Sequence, residues 1–125
     1  MNKIRFSFVW DKLSEPTFTT IRSWNKEKEE YYRGCIGQKF SVWKVKNTYS
    51  FRPEYVICHA YLLDARVVNP NDLDKAIIEK DVLLNGTVRE DWVKRILGYS
   101  MAILLVFSKT NQILSSEGGT CQNVT

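Results

Sequence analysis

Alternating hydrophobic and polar residues predict β-strands in several parts of the chain. The segment KIRFSFVW (3–10) alternates with the period of two that is typical of a half-buried strand. The β-branched segment TFTTIR (17–22) and the segment IGQKFSVWKV (36–45), with a turn at its glycine, predict two further strands. EYVICHAYLLDARVV (54–68) is long enough for one bent strand, and the apolar run MAILLVF (101–107) predicts a buried strand.

A helix is predicted directly after the fourth of these strands. Asn69 precedes Pro70, so the asparagine can cap a helix whose first residue is the proline. We expect this helix to continue to about Lys80 and to direct its apolar side chains toward the core. These apolar residues are Leu73, Ile77 and Ile78.

A second helix is predicted before the last strand. Thr87 and Glu90 match the T-x-x-E capping box, which places the start of the helix near Val88. Gly98 is expected to end it. The resulting order, β-β-β-β-α-α-β, predicts an α+β fold in which two helices are inserted before the last strand of a small mixed β-barrel.

The chain length of 125 residues suits a single domain, which we assign to residues 1–108. Residues 109–125 are rich in small polar residues without periodicity and are expected to form a flexible tail. No apolar run approaches the about 18 residues of a membrane-spanning helix, and the N-terminus has no signal-peptide pattern. We therefore expect a cytoplasmic protein without membrane contact.

The net charge of +4 is unevenly distributed along the chain. Residues 1–60 contain eleven Lys and Arg against six Asp and Glu, a net charge of +5, whereas residues 61–125 have a net charge of −1. This distribution is typical of a basic face for a polyanion, and a solvated surface also has it in some proteins. Three cysteines and one histidine form no zinc-ligand pattern, so we expect no metal and no cofactor.

Cations and aromatic residues are interleaved in TFTTIRSWNKEKEEYYRG (17–34). Trp24 and two tyrosines lie here among several Lys and Arg. A surface loop of this composition can stack on bases and neutralise phosphates. The glutamates between the cations also allow a short solvated helix held by i,i+3 and i,i+4 ion pairs.

Several of these segments resemble ASCH domains, members of the PUA-like β-barrel superfamily. TFTTIR (17–22) is similar to the family's K-T-x-T-x-R segment, and RGCIGQKFSVW (33–43) is similar to its G-D-x-φ-x-φ turn and strand, where φ is apolar. YLLDARVVNPNDL (61–73) and AIIEKDVLLNGTVREDWVKRIL (76–97) resemble the strand and helices that follow, and AILLVF (102–107) resembles the final strand. The resemblance implies a PUA-like mixed β-barrel with a cleft beside it.

The same resemblance implies functional positions. The family's threonine, arginine and acidic cleft residue fall on Thr20, Arg22 and Asp81. Its lysine falls on Thr17, and the aspartate of its G-D turn falls on Gln38. In ASCH enzymes that remove the acetyl group from N4-acetylcytidine, a lysine, a threonine and a glutamate are implicated as the catalytic trio.

We expect a domain that binds RNA or a nucleotide in a basic and aromatic cleft beside the barrel. The cleft is expected to consist of residues 17–24, residues 33–44 and the start of the second inserted helix. Its expected nucleic-acid contacts are Thr17, Arg22, Trp24, Lys26, Arg33, Lys39 and Lys44.

Two other functions stay open. The first is an amidohydrolase acting on a modified cytidine, or an RNA-processing hydrolase, with Thr20 and Asp81 as its catalytic residues. The second is a protein-interaction module that uses the aromatic segment as its contact patch. Structural roles are open as well, because Arg22 can pair with Asp81 or Glu54, and Asp81 can pair with a cation near Lys80.

Overall fold

The computed structural model describes residues 2–47 and 52–111. In these ranges the chain forms a five-stranded mixed sheet, a two-stranded hairpin and three α-helices. The strands of the sheet are β1 (Asn2–Phe6), β2 (Thr17–Ser23), β3 (Lys39–Val45), β4 (Pro53–Val68) and β7 (Ala102–Ser108), and those of the hairpin are β5 (Leu83–Leu84) and β6 (Thr87–Val88). The helices are α1 (Lys26–Gly34), α2 (Lys75–Asp81) and α3 (Glu90–Leu97), with 3-10 helices at Asp11–Ser14 and Pro70–Asp72.

The strand order in the sheet is β1-β3-β4-β7-β2. β1 runs parallel to β3, and the other neighbouring strands are antiparallel. The long strand β4 pairs with β3 through its first half and with β7 through its second half. β7 lies between β4 and β2, and its residues Ala102–Leu105 are all buried, which explains its continuous apolar sequence.

The sheet is strongly curled but is not closed by backbone pairing in the described residues. β1 and β2 are its two edges, and four spacings of about 4.8 Å would put the edges of a flat sheet about 19 Å apart. In this structure, Nη2 of Arg22 on β2 donates a hydrogen bond of 2.8 Å to the backbone carbonyl of Arg5 on β1. The sheet therefore brings its edges within reach of one side chain, and we call the gap between them the seam.

The strands predicted at 17–22, 54–68 and 101–107 are confirmed as β2, β4 and β7. The strand predicted over 3–10 is too long, because β1 ends at Phe6. After this point the alternating apolar side chains leave the sheet. Phe8 and Trp10 instead pack on Trp92 of α3, with ring centroids 6.0 and 5.5 Å away.

The segment rich in cations and aromatic residues contains a helix rather than a loop. The Asn25 side chain accepts a hydrogen bond of 2.7 Å from the backbone N–H of Lys28, which caps the start of α1. Arg33 pairs with Glu29 one turn earlier at 3.2 Å. The solvated helix held by i,i+4 pairs, the alternative considered for this sequence, is therefore confirmed.

The first inserted helix is shorter than predicted. Asn69 caps only the 3-10 helix Pro70–Asp72, and a second cap at Asp74 starts α2, where its carboxylate accepts from the N–H of Ala76 at 3.1 Å. Ile78 is buried as expected, but Ile77 is 37% exposed, so its predicted inward position is wrong.

The capping box predicted at Thr87 and Glu90 is also wrong. Thr87 lies in the hairpin, and α3 begins at Glu90 without a side-chain cap. The hairpin turn is Asn85–Gly86, and both residues have positive φ, of 53° and 79°. Asn-Gly is a strong signal for such a turn, and it outweighs the capping pattern here.

The predicted end of the second inserted helix is confirmed, because Gly98 ends α3. In the described ranges no helix is long and apolar enough to span a lipid bilayer. Most of the predicted tail, from residue 112 onward, lies outside the described residues.

Candidate functional site

A pocket of about 440 Å³ lies at the seam. β1 contributes Arg5 and Phe6, β2 contributes residues 20–23, and α3 contributes Trp92 and Arg95 to its lining. The pocket exists because β1 and β2 approach each other without forming backbone hydrogen bonds. Arg22 is one of its lining residues: besides its bond to the Arg5 carbonyl, its guanidinium lies over the Phe6 ring at 4.7 Å.

A buried ion pair forms one wall of this pocket. The Lys12 ammonium, from the 3-10 helix Asp11–Ser14, lies 2.7 Å from Oδ1 of Asp81 at the end of α2. The two side chains are only 3% and 4% exposed. The Asp81 carboxylate also accepts hydrogen bonds from the Thr19 hydroxyl at 3.3 Å and the Ile21 backbone N–H at 3.2 Å. Asp81 thus accepts from three donors, two of which hold it against β2.

The electrostatic environment of Lys12 is unusual for a lysine. Burial lowers the pKa of its ammonium below the ordinary value, and the nearby Arg22 acts in the same direction. The Asp81 carboxylate opposes this shift through its charge and its hydrogen bond. Lys12 therefore loses its proton more easily than an exposed lysine, although its carboxylate partner favours the charged form.

Thr20 on β2 contributes a buried hydroxyl to the pocket lining. It is 2% exposed, and its Oγ1 accepts a hydrogen bond of 3.3 Å from Nε of Arg22. The same guanidinium thus fixes Thr20 on its own strand and Arg5 on the opposite edge. This arrangement places a hydroxyl, a guanidinium and the Lys12–Asp81 pair in the lining of one pocket.

Cations outnumber carboxylates in the pocket lining by five to one. The cations are Arg5, Lys12, Arg22, Lys28 and Arg95, and the carboxylate is Asp81. Lys28 extends back from the first turn of α1, and its Nζ donates to the backbone carbonyl and the hydroxyl of Ser23 at 3.2 and 3.0 Å. Burial, followed by the charge of Arg22, lowers the pKa of Lys28. The pocket is therefore a region of positive potential.

Aromatic rings line the side of the pocket near α3. They belong to Trp10, Trp92 and Tyr99, with Phe6 on the β1 side. The Arg95 guanidinium lies over the Trp92 ring at 4.8 Å, and Arg95 itself is exposed. A planar guanidinium backed by an indole offers a flat surface to a further ring.

Comparison with known proteins produced no match. No family model, no curated protein and no solved structure matches this chain. The resemblance to ASCH domains thus depends on the sequence segments quoted above, and the function is argued from the site itself.

Three residues expected from the sequence meet in the pocket. Thr20, Arg22 and Asp81 all line it, although Asp81 comes from a helix more than fifty residues further along the chain. Asp81 pairs with Lys12, whereas Lys80 pairs with Glu15 at 3.2 Å. In the described residues Arg22 forms no ion pair with Asp81 or Glu54.

The other expected contact residues lie outside this pocket. Thr17 lines a smaller neighbouring cavity of about 160 Å³. Trp24 is 42% exposed and donates from Nε1 to Glu29 at 2.8 Å. The remaining four, all cations on α1 or β3, are Lys26, Arg33, Lys39 and Lys44. Of these, Arg33 pairs with Glu29, and Lys44 pairs with Glu54 at 2.9 Å.

Sequence reasoning did not single out several residues of the pocket. They are Arg5, Trp10, Lys12, Trp92, Arg95 and Tyr99. Lys12 and Asp81 are 69 positions apart, so no local pattern relates them. No group of His, Cys, Asp and Glu in the described residues is arranged to hold a metal ion.

Proposed function

We propose that this chain binds RNA or a nucleotide in the seam pocket. The observation that carries the proposal is the lining itself, in which five cations face one carboxylate beside four aromatic rings. Phosphates favour such a potential, and unpaired bases stack on aromatic and guanidinium surfaces at about 1–3 kcal/mol each. No other described pocket combines these features.

The proposal includes an ASCH-type, PUA-like fold. In support of it, the helices α2 and α3 lie between β4 and the last strand of the sheet, as the resemblance implies. The sheet is curled until its edges are bridged by Arg22, which supports a barrel-like arrangement with one open seam. The pocket lies at this opening, where the resemblance places the family's cleft.

Fluorescence anisotropy is the direct test of binding. Labelled single-stranded RNA, hairpin RNA and DNA are titrated with wild-type protein and with Arg22→Ala at salt concentrations of about 50 to 300 mM. We expect binding that weakens steeply with salt and that is lost in Arg22→Ala. Lys26→Ala is the matched control, because Lys26 is an exposed cation outside the pocket. If wild-type protein binds no probe at the lowest salt, RNA binding is wrong, and the proposal falls completely if mononucleotides do not bind either.

A second candidate function, an amidohydrolase acting on a modified cytidine, has one observation in its favour. The sequence lacks the family lysine, since Thr17 stands there, but Lys12 brings an ammonium into the same pocket as Thr20 and Asp81. The pKa of Lys12 is lowered by burial, which favours a lysine that exchanges a proton with a hydroxyl group.

This candidate predicts release of acetate and cytidine from N4-acetylcytidine and water. Wild-type protein is compared with Thr20→Val, which keeps the shape of the side chain but removes its hydroxyl. Turnover by wild-type protein and its loss in the variant support the hydrolase. If a sample that binds RNA shows no turnover, the hydrolase candidate is wrong and only the binding function remains.

A further inference from the structure

Arg22 and Lys28, two cations on the β2 side of the pocket, lack a carboxylate partner in the described ranges. Arg22 contacts a hydroxyl, a backbone carbonyl and an aromatic ring, and Lys28 contacts the carbonyl and hydroxyl of Ser23. All of these acceptors are neutral. By contrast, Lys12 is neutralised by Asp81. The side of the pocket formed by Arg22 and Lys28 thus has two uncompensated positive charges.

These two charges are close enough to affect each other. Arg22 lowers the pKa of Lys28, in addition to the effect of burial, so the protein keeps both cations together at a cost in free energy. Lys28 also lies in the first turn of α1, where the helix dipole is positive and favours an anion over a cation. An anion bound between them relieves both conflicts.

Hydrogen-bond donors at this side of the pocket are suited to phosphate oxygens. Beyond the contacts given above, Arg22 has further N–H donors on Nη1 and Nη2, and the Lys28 ammonium has a third donor, which can bind phosphate oxygens. The hydroxyl of Ser23, which also lines the pocket, can rotate to donate to the same group. Two positive charges match the dianion of a terminal phosphomonoester better than the single charge of an internal phosphodiester.

The size of the pocket limits the rest of the ligand. Its volume of about 440 Å³ lies in the lower half of the about 300–1,000 Å³ typical of small-molecule sites. This volume suits one nucleotide rather than several consecutive ones. Trp92 and Tyr99 line the pocket near α3 and supply the aromatic surface for its base.

We infer that Arg22 and Lys28 form a phosphate subsite and that the pocket takes a nucleoside phosphomonoester. This chemistry occurs in a free nucleoside monophosphate and at the phosphorylated end of an RNA. The inference depends on the proposed function, since it names the ligand class of the same pocket.

Isothermal titration calorimetry with wild-type protein tests the charge requirement without any variant. The probes are the four ribonucleoside 5′-monophosphates and 3′-monophosphates, the nucleosides, the methyl esters of the monophosphates and inorganic phosphate. We expect at least one monophosphate to bind about tenfold or more tighter than its nucleoside, and tighter than its singly charged methyl ester, because hydrogen bonds to charged groups contribute about 1.5–3 kcal/mol.

Lys28→Gln identifies the subsite. It is expected to remove most of the advantage of the monophosphate over the nucleoside while nucleoside binding stays within about twofold. Lys26→Gln, two positions earlier on α1 and outside the pocket, is the matched control and is expected to bind like wild type. Circular dichroism verifies that both variants are folded.

The outcomes separate the two proposals. If nucleosides and monophosphates bind wild-type protein equally well, the phosphate subsite is wrong while the pocket remains a nucleoside site. If Lys28→Gln and Lys26→Gln weaken binding equally, the subsite assignment is also wrong. If wild-type protein binds no nucleoside, nucleotide or RNA, both the proposed function and the phosphate subsite are wrong. If a 5′-phosphorylated oligonucleotide binds tighter than its 5′-hydroxyl form, the ligand is the phosphorylated end of an RNA. If only free nucleotides bind, the ligand is a nucleoside monophosphate.

Discussion

Lys12 and Asp81 form an ion pair of 2.7 Å in which both side chains are almost completely buried. In every other ion pair of the described residues at least one partner is substantially exposed. The pair joins the 3-10 helix after β1 to the end of α2, and Asp81 is bonded to β2 as well. A buried pair of this kind adds little net stability, but its disruption leaves a charge without a partner.

Asp81→Asn is expected to destabilise the protein by about 3–5 kcal/mol in free energy of unfolding, because the Lys12 ammonium remains buried without a counter-charge. Urea denaturation followed by tryptophan fluorescence measures this change. Asp74→Asn is the control: Asp74 caps α2 from an exposed position, and Asn is an equally good cap. If Asp81→Asn lowers the free energy of unfolding no more than Asp74→Asn does, the predicted role of the Lys12–Asp81 pair is wrong.

The stability contributed by Lys12 is expected to increase with pH. Its pKa in the folded protein is lower than the ordinary 10.5, so between these two values the unfolded chain binds more protons at this position. Raising the pH through this window therefore favours the folded state. The relevant neighbours are Asp81, which opposes the shift, and Arg22, which adds to it.

The measurement for this pH effect is the difference in free energy of unfolding between wild type and Lys12→Met at pH values of about 8 to 10. Tyr31, whose pKa is raised by burial, acts in the opposite direction at high pH but is present in both proteins and cancels. The difference should shift in favour of wild type as the pH rises. A constant difference would show that Lys12 titrates as it does in the unfolded chain.

Arg22→Lys is expected to weaken nucleotide binding about tenfold although it keeps the positive charge. A lysine cannot contact the Thr20 hydroxyl and the Arg5 carbonyl through separate nitrogens, so the seam loses its bridge. Calorimetric titration with a monophosphate provides the value. Arg33→Lys on α1 is the control and should bind like wild type, and equal affinity of both variants contradicts the role of the guanidinium geometry.

Two glycine substitutions are expected to change stability in opposite directions. Gly86→Ala should cost about 1 kcal/mol, because Gly86 has a φ of 79° that a Cβ atom disfavours. Gly34→Ala should stabilise by about 0.4–1 kcal/mol, since Gly34 lies in α1 with no atom near the added methyl group. The thermal unfolding midpoints of both variants test these two predictions. Midpoint shifts of the same sign would refute the predicted opposite effects.

Trp24→Ala is expected to leave mononucleotide binding within about twofold of wild type, because Trp24 lies outside the pocket. Its indole is exposed on the connection between β2 and α1, where the sequence suggests a base-stacking surface. The variant is titrated with a monophosphate and with a longer single-stranded RNA. A large loss with the monophosphate argues against the pocket as the nucleotide site, whereas a loss confined to the longer RNA indicates a strand that continues over α1.

The sequence predicts much of the sheet because strand burial leaves a local pattern. The β-branched run of β2 and the apolar run of β7 both identify strands, since β2 buries Phe18, Thr20 and Ile21 and β7 is buried along nearly its whole length. The hairpin at Asn85–Gly86 was missed because the capping pattern at Thr87 overlaps it. Its turn signal was nevertheless present in the sequence.

The candidate site is less accessible to sequence reasoning. Arg22 and Asp81 were found through the resemblance to a family, and Thr20 with them. Lys12 reaches Asp81 from 69 positions away, whereas Lys28 bonds to Ser23 only five positions earlier, and the fold alone brings the two lysines into one pocket. Long-range convergence of this kind leaves no periodic pattern along the chain.

The position of β7 has a consequence for the order of events during synthesis. β2 carries Thr20 and Arg22, yet its only neighbour in the described sheet is β7, so that Thr20 pairs with Leu105. The ribosome therefore makes this N-terminal strand long before its partner exists, and the strand has to stay unpaired until almost the whole domain has been translated. Because such distant pairings slow folding and leave strand edges exposed, the nascent chain is at greatest risk of aggregation while it waits for residues 102–108.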